Sequence, residues 1–171
     1  MIDCFTTLLR PEFRVESPST YIPMDRRHAL AAGATLPERV RGAALFADIS
    51  GFTSLTATLA HDLGPQRGGE EITRLLNCVY DAVISEVHLY GGSAISFGGD
   101  AITCWFDGDD GLRAAAAGLA MQRAMQPFAP FSLAMKMAIA AGPARRFVVG
   151  DPQIQLLDAL AGATIDTLAC V

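Results

Sequence analysis

Apolar and polar positions along the chain divide it into a short series of elements. Arg41-Gly42-Ala43-Ala44-Leu45-Phe46-Ala47 is an apolar run short enough for a buried strand, and it ends at Asp48. Ser50-Gly51-Phe52-Thr53 then reads as a tight turn into a helix over 54–60, with Ser50 or Thr53 as the N-cap. Over 70–87, Ile72, Leu75, Leu76, Val79, Val83 and Val87 share one helical stripe, which predicts a long helix packed on a sheet. Two strand-like runs, 92–97 and 101–106, flank Gly98-Gly99, a two-residue turn able to take φ > 0, and place Asp100 at the tip of a hairpin. An alanine-rich amphipathic helix follows over 110–125. Residues 133–139 alternate with period two, as a strand with one buried face does. Gly142-Pro143 is expected to turn the chain into an antiparallel partner over 145–150, and Asp151-Pro152 to turn it again into a strand over 153–160. Residues 1–40, punctuated by Pro11, Pro18, Pro23 and Pro37, read as an irregular lead-in with one short helix over 26–32, leaving 41–171 as the main domain. Strand, helix, hairpin, helix and further strands is the order of an α+β fold: a ferredoxin-like antiparallel sheet with helices packed on one face.

The chemistry of the chain concentrates in two of these elements. Asp48 and Asp100 each lie at a strand end beside glycine-rich backbone, and the helix after Asp48 would present free N–H groups and a positive dipole end to an anion. A carboxylate there repels a bare phosphate, so the arrangement makes sense chiefly with a divalent cation between them. Two carboxylates about 4 Å apart at an effective dielectric of about 20 repel by about 4 kcal/mol, which either raises one pKa or is neutralised by metal. Hard oxygen ligands at an open, phosphate-facing site favour Mg²⁺ or Mn²⁺ over zinc. Taken singly, Asp48 is an ordinary turn or capping aspartate and Gly98-Gly99-Asp100 an ordinary hairpin turn. Their joint occurrence on two strand ends, separated by a long helix, points to a site.

The pair Phe46-Ala47-Asp48-Ile49-Ser50-Gly51-Phe52-Thr53 and Phe97-Gly98-Gly99-Asp100-Ala101, with Gly91-Gly92 between them, resembles the class III nucleotidyl cyclases, most closely the first catalytic half of soluble adenylyl cyclases. The likeness runs from about Arg41 to the C-terminus. It implies that Asp48 and Asp100 bind two metal ions, Mg²⁺ or Mn²⁺, with the Ile49 carbonyl as a further ligand. It implies that the backbone of Gly51, Phe52 and Thr53 holds the β- and γ-phosphates, and that Phe46 and Ser96 belong to the base pocket. Soluble adenylyl cyclases carry a lysine where this chain has Ser96, and the chain's single lysine is Lys136. The activity implied is conversion of ATP, with GTP as the other candidate, to the cyclic nucleotide and pyrophosphate. The asparagine and arginine that complete such a site would fall at Asp166 and Cys170, so the resemblance also implies a complementary cyclase half in the same or another chain. The family fold continues past Gly162 with a further helix and closing strands, and by that measure the domain reads as truncated. Two other readings stand beside this one: a cyclase-like regulatory module that binds nucleotide and metal without turnover, and a guanylate or diguanylate cyclase, whose hairpin Gly98-Gly99-Asp100 also resembles.

Composition narrows the remaining classes. With 51% hydrophobic residues in 171, the chain can bury a core as one domain. A net charge of −5, with no basic cluster larger than Arg26-Arg27 or Arg145-Arg146, argues against general nucleic-acid binding. Cys4, Cys78, Cys104 and Cys170 show no Cys-x-x-Cys spacing and are expected as free thiols, and His61 and His88 lack metal-ligand spacing. No apolar run reaches about 18 residues and the first residues lack a signal peptide's basic start, so the expectation is a cytoplasmic domain without a membrane segment.

Overall fold

The computed structural model describes residues 22–168; the readings placed on Cys4, Cys170 and the prolines before Pro23 lie outside them. Five strands are described: β1 (Arg39–Ser50), β2 (Ser93–Gly98), β3 (Ala101–Asp107), β4 (Ala134–Asp151) and β5 (Gln155–Ala161). They form one sheet in the order β2-β3-β1-β4-β5, every neighbouring pair antiparallel. The helices are α1 (Met24–Ala31), α2 (Phe52–Leu63), α3 (Pro65–Leu89), α4 (Leu112–Ala124) and the short α5 (Ala163–Leu168), with a 3₁₀ turn at Gln126–Phe131. None of the described helices is long and apolar enough to cross a membrane.

The period-two pattern of β1 sends Ala43, Leu45, Ala47 and Ile49 to one face, where Ile102, Cys104 and Phe106 of β3 join them. Val79, Val83 and Val87 of α3, with Ala114, Ala117 and Met121 of α4, close over that layer and make the main core. The chain thus adopts the expected α+β architecture, an antiparallel sheet with its long helices on one face. Small side chains explain how close α4 comes: a methyl group on Gly118 would already touch Leu45, Ile139 and Met137. Its first turn is capped from two residues upstream of Gly111, where the buried Asp109 carboxylate accepts from the N–H groups of Arg113 and Ala114. Burial alone would raise the Asp109 carboxyl; those amides and the Arg113 charge hold it below its usual value. Cys104 is a buried free thiol, pushed up to about 12 by desolvation, and Cys78 is half-buried.

The opposite face carries a smaller apolar cluster of Ala44, Ile95, Trp105, Ala144 and Leu168, which α5 covers in part. Another part of that face lies under α1.

Four local expectations need correction. Gly142-Pro143 does not turn the chain; β4 runs through it as one strand, pairing with β1 from Ala134 to Arg145 and with β5 from Arg145 to Asp151. Proline is tolerated there because its carbonyl accepts from the Thr164 hydroxyl at 2.7 Å and β5 pairs only from Arg145 onward, so no ladder bond is lost on that side. The hairpin turn is Gly99-Asp100 rather than Gly98-Gly99, since Gly98 still pairs with Ala101. The N-cap of α2 is Gly51, not Ser50 or Thr53: the Ser50 hydroxyl donates to the Ala134 carbonyl, and no side chain caps the helix. The last strand begins at Gln155 rather than 153.

The helix in the lead-in is α1, and it is tied to the sheet. The buried Arg146 of β4 pairs with Asp25 of α1 and Asp158 of β5, while Arg26 reaches Asp158 with Nε 2.5 Å from Oδ2. The Asp25 N–H also donates to the Ser93 hydroxyl of β2 at 3.0 Å.

Candidate active site

Strand register brings the two aspartates together. Asp48 is the Cα partner of Ala101, the residue after Asp100, and the Ile49 N–H donates to the Asp100 carbonyl at 3.1 Å. Both aspartates therefore occupy the same end of the β1–β3 pair. Side-chain alternation turns Asp48 to the open face of the sheet, the face away from α3 and α4.

After Ser50 the chain leaves β1 and enters α2 through Gly51 at φ +93°. A Cβ here would collide with the Ser132 carbonyl oxygen, so only glycine lets this turn pack against the approach to β4. The amides of Phe52, Thr53 and Ser54 lie in the first helical turn, where helix geometry supplies no partner and no side-chain cap intervenes. They form the kind of terminus that receives phosphate oxygens.

A residue that sequence reasoning did not place here is Lys136. On β4 it stands directly across from Asp48 in the β1–β4 register, on the same open face. Its signal in the sequence was a lone lysine in an otherwise apolar alternating run, but which strand it would oppose depends on the sheet order. Asp48 and Lys136 line a cavity of about 630 Å³ with Phe46, Thr103, Met137 and Ala138, walled on one side by Ile165 and Leu168 of α5. Phe46, partly exposed, thus faces a cavity large enough for a nucleotide base. Ser96 is exposed and is not one of these lining residues; its register partner Thr103, which also pairs with Phe46, is. The register of β2 shifts between Ala94 and Ser96, where Ile95 is the extra residue of a bulge.

No group of three or more His, Cys, Asp or Glu side chains gathers among the described residues. Two carboxylates and a backbone carbonyl suit a hard cation that keeps several waters and completes its shell with phosphate oxygens, and they do not suit a closed zinc site. His61 is exposed and contacts Asp62, while the half-buried His88 is lowered by desolvation and by Arg27 and His28 nearby; neither adjoins the aspartates.

Among solved structures, a bacterial light-regulated adenylyl cyclase superposes with a TM-score of 0.74 over 89% of this chain and 46% of that one, at 20% identity. The guanylyl cyclase Cya2 superposes with a TM-score of 0.64 over 78% of this chain and 69% of that one, at 26% identity. This is the class III nucleotidyl cyclase fold. A curated relative, adenylate cyclase type 10 of Rattus norvegicus, is 36% identical over 61 residues, which are 36% of this chain and only 4% of that enzyme. No family model matches. Adenylyl and guanylyl cyclases both share the fold, so the cyclase architecture by itself is common to both bases.

Proposed function

We propose that this chain supplies the metal- and triphosphate-binding half of a cyclase site that converts ATP to cyclic AMP and pyrophosphate. The observation that carries this is the register that sets Asp48, Asp100 and Lys136 around one end of β1, beside the uncapped start of α2. Asp48, Asp100 and the Ile49 carbonyl would hold Mg²⁺ or Mn²⁺, which when bound stabilises charge on the attacking and leaving oxygens. The amides of Gly51, Phe52 and Thr53 and the Lys136 ammonium bind and orient the β- and γ-phosphates. Phe46 and Thr103 wall the place for the base. In the reaction the ribose 3′-oxygen bonds to the α-phosphorus, the bond to the β-phosphate oxygen breaks, and the 3′-proton is released to solvent. The protein's share is positioning and fixed charge rather than a side-chain nucleophile.

A complementary half is the second part of the proposal. Asp166, where the resemblance calls for an asparagine, is an exposed carboxylate on α5. The β4–β5 hairpin exposes Val149 and Leu157 on one face and Val148 and Leu156 on the other, apolar side chains suited to a second cyclase half. A cyclase-like module that binds nucleotide without turnover is the second reading, and the acidic Asp166 favours it.

Two measurements test the proposal. Mn²⁺ with a non-hydrolysable ATP analogue should stabilise the chain by about 2.7 kcal/mol at 100 times the dissociation constant, and Asp48→Asn or Asp100→Asn should abolish the shift. Cyclic AMP and cyclic GMP formation with Mn²⁺ should be near background for the chain alone and appear once the complementary half is added. A shift that survives in both variants refutes the site, and silence from the completed pair with the shift intact selects the regulatory module.

A further inference from the structure

Tyr80 carries a hydroxyl that the helix stripe does not require. It follows the buried Val79 on α3, and its ring meets Phe97 of β2 edge-on, with centroids 5.3 Å apart and planes at 87°. Phenylalanine would make that contact equally well. The hydroxyl reaches further and donates to the Gly99 carbonyl at 3.0 Å. The next carbonyl in the chain, that of Asp100, accepts from the Ile49 N–H. Two successive carbonyls of one turn are therefore pinned to different elements, Gly99 to α3 and Asp100 to β1. The turn has little else to fix it: Gly99 sits at φ +70° and a Cβ there would meet nothing within 4 Å.

We propose that Tyr80 is a positioning residue whose hydroxyl holds the Gly99-Asp100 turn, and with it the Asp100 carboxylate, at the metal site; this rests on Asp100 being a metal ligand as proposed above. The β1 anchor fixes how far the turn lies from Asp48, whereas the α3 anchor stops it from swinging about the β2–β3 strand ends.

Tyr80→Phe keeps the ring and its contact with Phe97 and removes only the donor. Mn²⁺ titrations in the presence of a non-hydrolysable ATP analogue, read by the paramagnetic resonance of free Mn²⁺, should show about fivefold weaker binding, the effect of one net hydrogen bond. Metal-free melting should stay cooperative with at most a small fall in midpoint, and amide exchange over 97–102 should quicken. Phe97→Leu, which loses the ring contact but keeps the hydroxyl, should retain most of the affinity. Wild-type affinity in Tyr80→Phe, while Asp100→Asn loses Mn²⁺, overturns the role of Tyr80 and leaves the metal site standing. If the unmodified chain binds Mn²⁺ no better than Asp100→Asn, the metal site itself fails and the assignment falls with it. Loss of cooperative melting in Tyr80→Phe also overturns it, because the hydroxyl would then serve the fold.

Discussion

Gly51 concentrates at one residue the demands of both fold and site. Its φ of +93° disfavours any side chain, and the space where a Cβ would go is taken by the Ser132 carbonyl. Gly51→Ala is therefore expected to lower stability by about 1 kcal/mol from the backbone conformation alone, and by more because the contact with Ser132 must open. Urea denaturation measures the loss. The same shift moves the amides of Phe52 and Thr53, so nucleotide-dependent stabilisation should fall with it; an alanine variant as stable as the parent would show that the turn relaxes freely. Lys136 illustrates a different residue-scale lesson, since a lone lysine gains meaning only from the aspartate across the strand pair.

Among the elements, β4 does most to organise the molecule. Its N-terminal half pairs with β1 and carries Lys136 to the open face; its C-terminal half pairs with β5 and extends the hairpin outward. Ile154 at the hairpin tip is 84% exposed, and Leu156 and Leu157 are more than half exposed, so their burial adds little to the isolated chain. Replacing Leu156 and Leu157 by serine should leave the melting temperature nearly unchanged and weaken association with the complementary half by at least tenfold, as measured by sedimentation or titration calorimetry. A double variant that pairs normally would remove the hairpin from the interface. Polar substitutions this far from Asp48 are not expected to touch metal binding.

Across the whole molecule, the chain of charges Arg26, Asp158, Arg146 and Asp25 fastens α1 to both β4 and β5. Arg146 and Asp158 have side chains only 2% and 3% exposed, so each depends on the others to offset its desolvation. Burial would raise the Asp158 carboxyl, but hydrogen bonds from Arg26 and Arg146 outweigh it and hold the group below its usual range. A depressed carboxyl contributes stability above its unfolded value near 4 and loses it as pH falls through the lower folded value. Asp158→Asn should cost about 3–5 kcal/mol at pH 7, since it leaves Arg146 undercompensated. The gap between variant and parent, followed by urea midpoints from pH 7 downward, should narrow below about pH 4. A gap that stays constant with pH would mean that the network holds α1 by packing rather than by charge.

Much of this protein was legible in its residue order because the deciding physics is local. A short apolar run announced β1, two strand-like runs around a glycine pair the hairpin, and a helical stripe α3, while glycines beside Asp48 and Asp100 marked two turns. The antiparallel α+β class and the two aspartates followed from those patterns. Other features were settled only when distant segments met. Gly142-Pro143 is a turn signal by composition, yet pairing with β1 on one side and the Thr164 hydroxyl on the other keep β4 extended. Gly51 rather than Ser50 or Thr53 caps α2 because Ser132 presses on the turn and Ser50 finds a partner in β4. Lys136 opposite Asp48, Arg146 between two aspartates and the Tyr80 hydroxyl on Gly99 are all pairings between segments far apart in sequence. Strand order and register choose such partners, and the alternation within any one segment carries no record of the strand that will lie beside it.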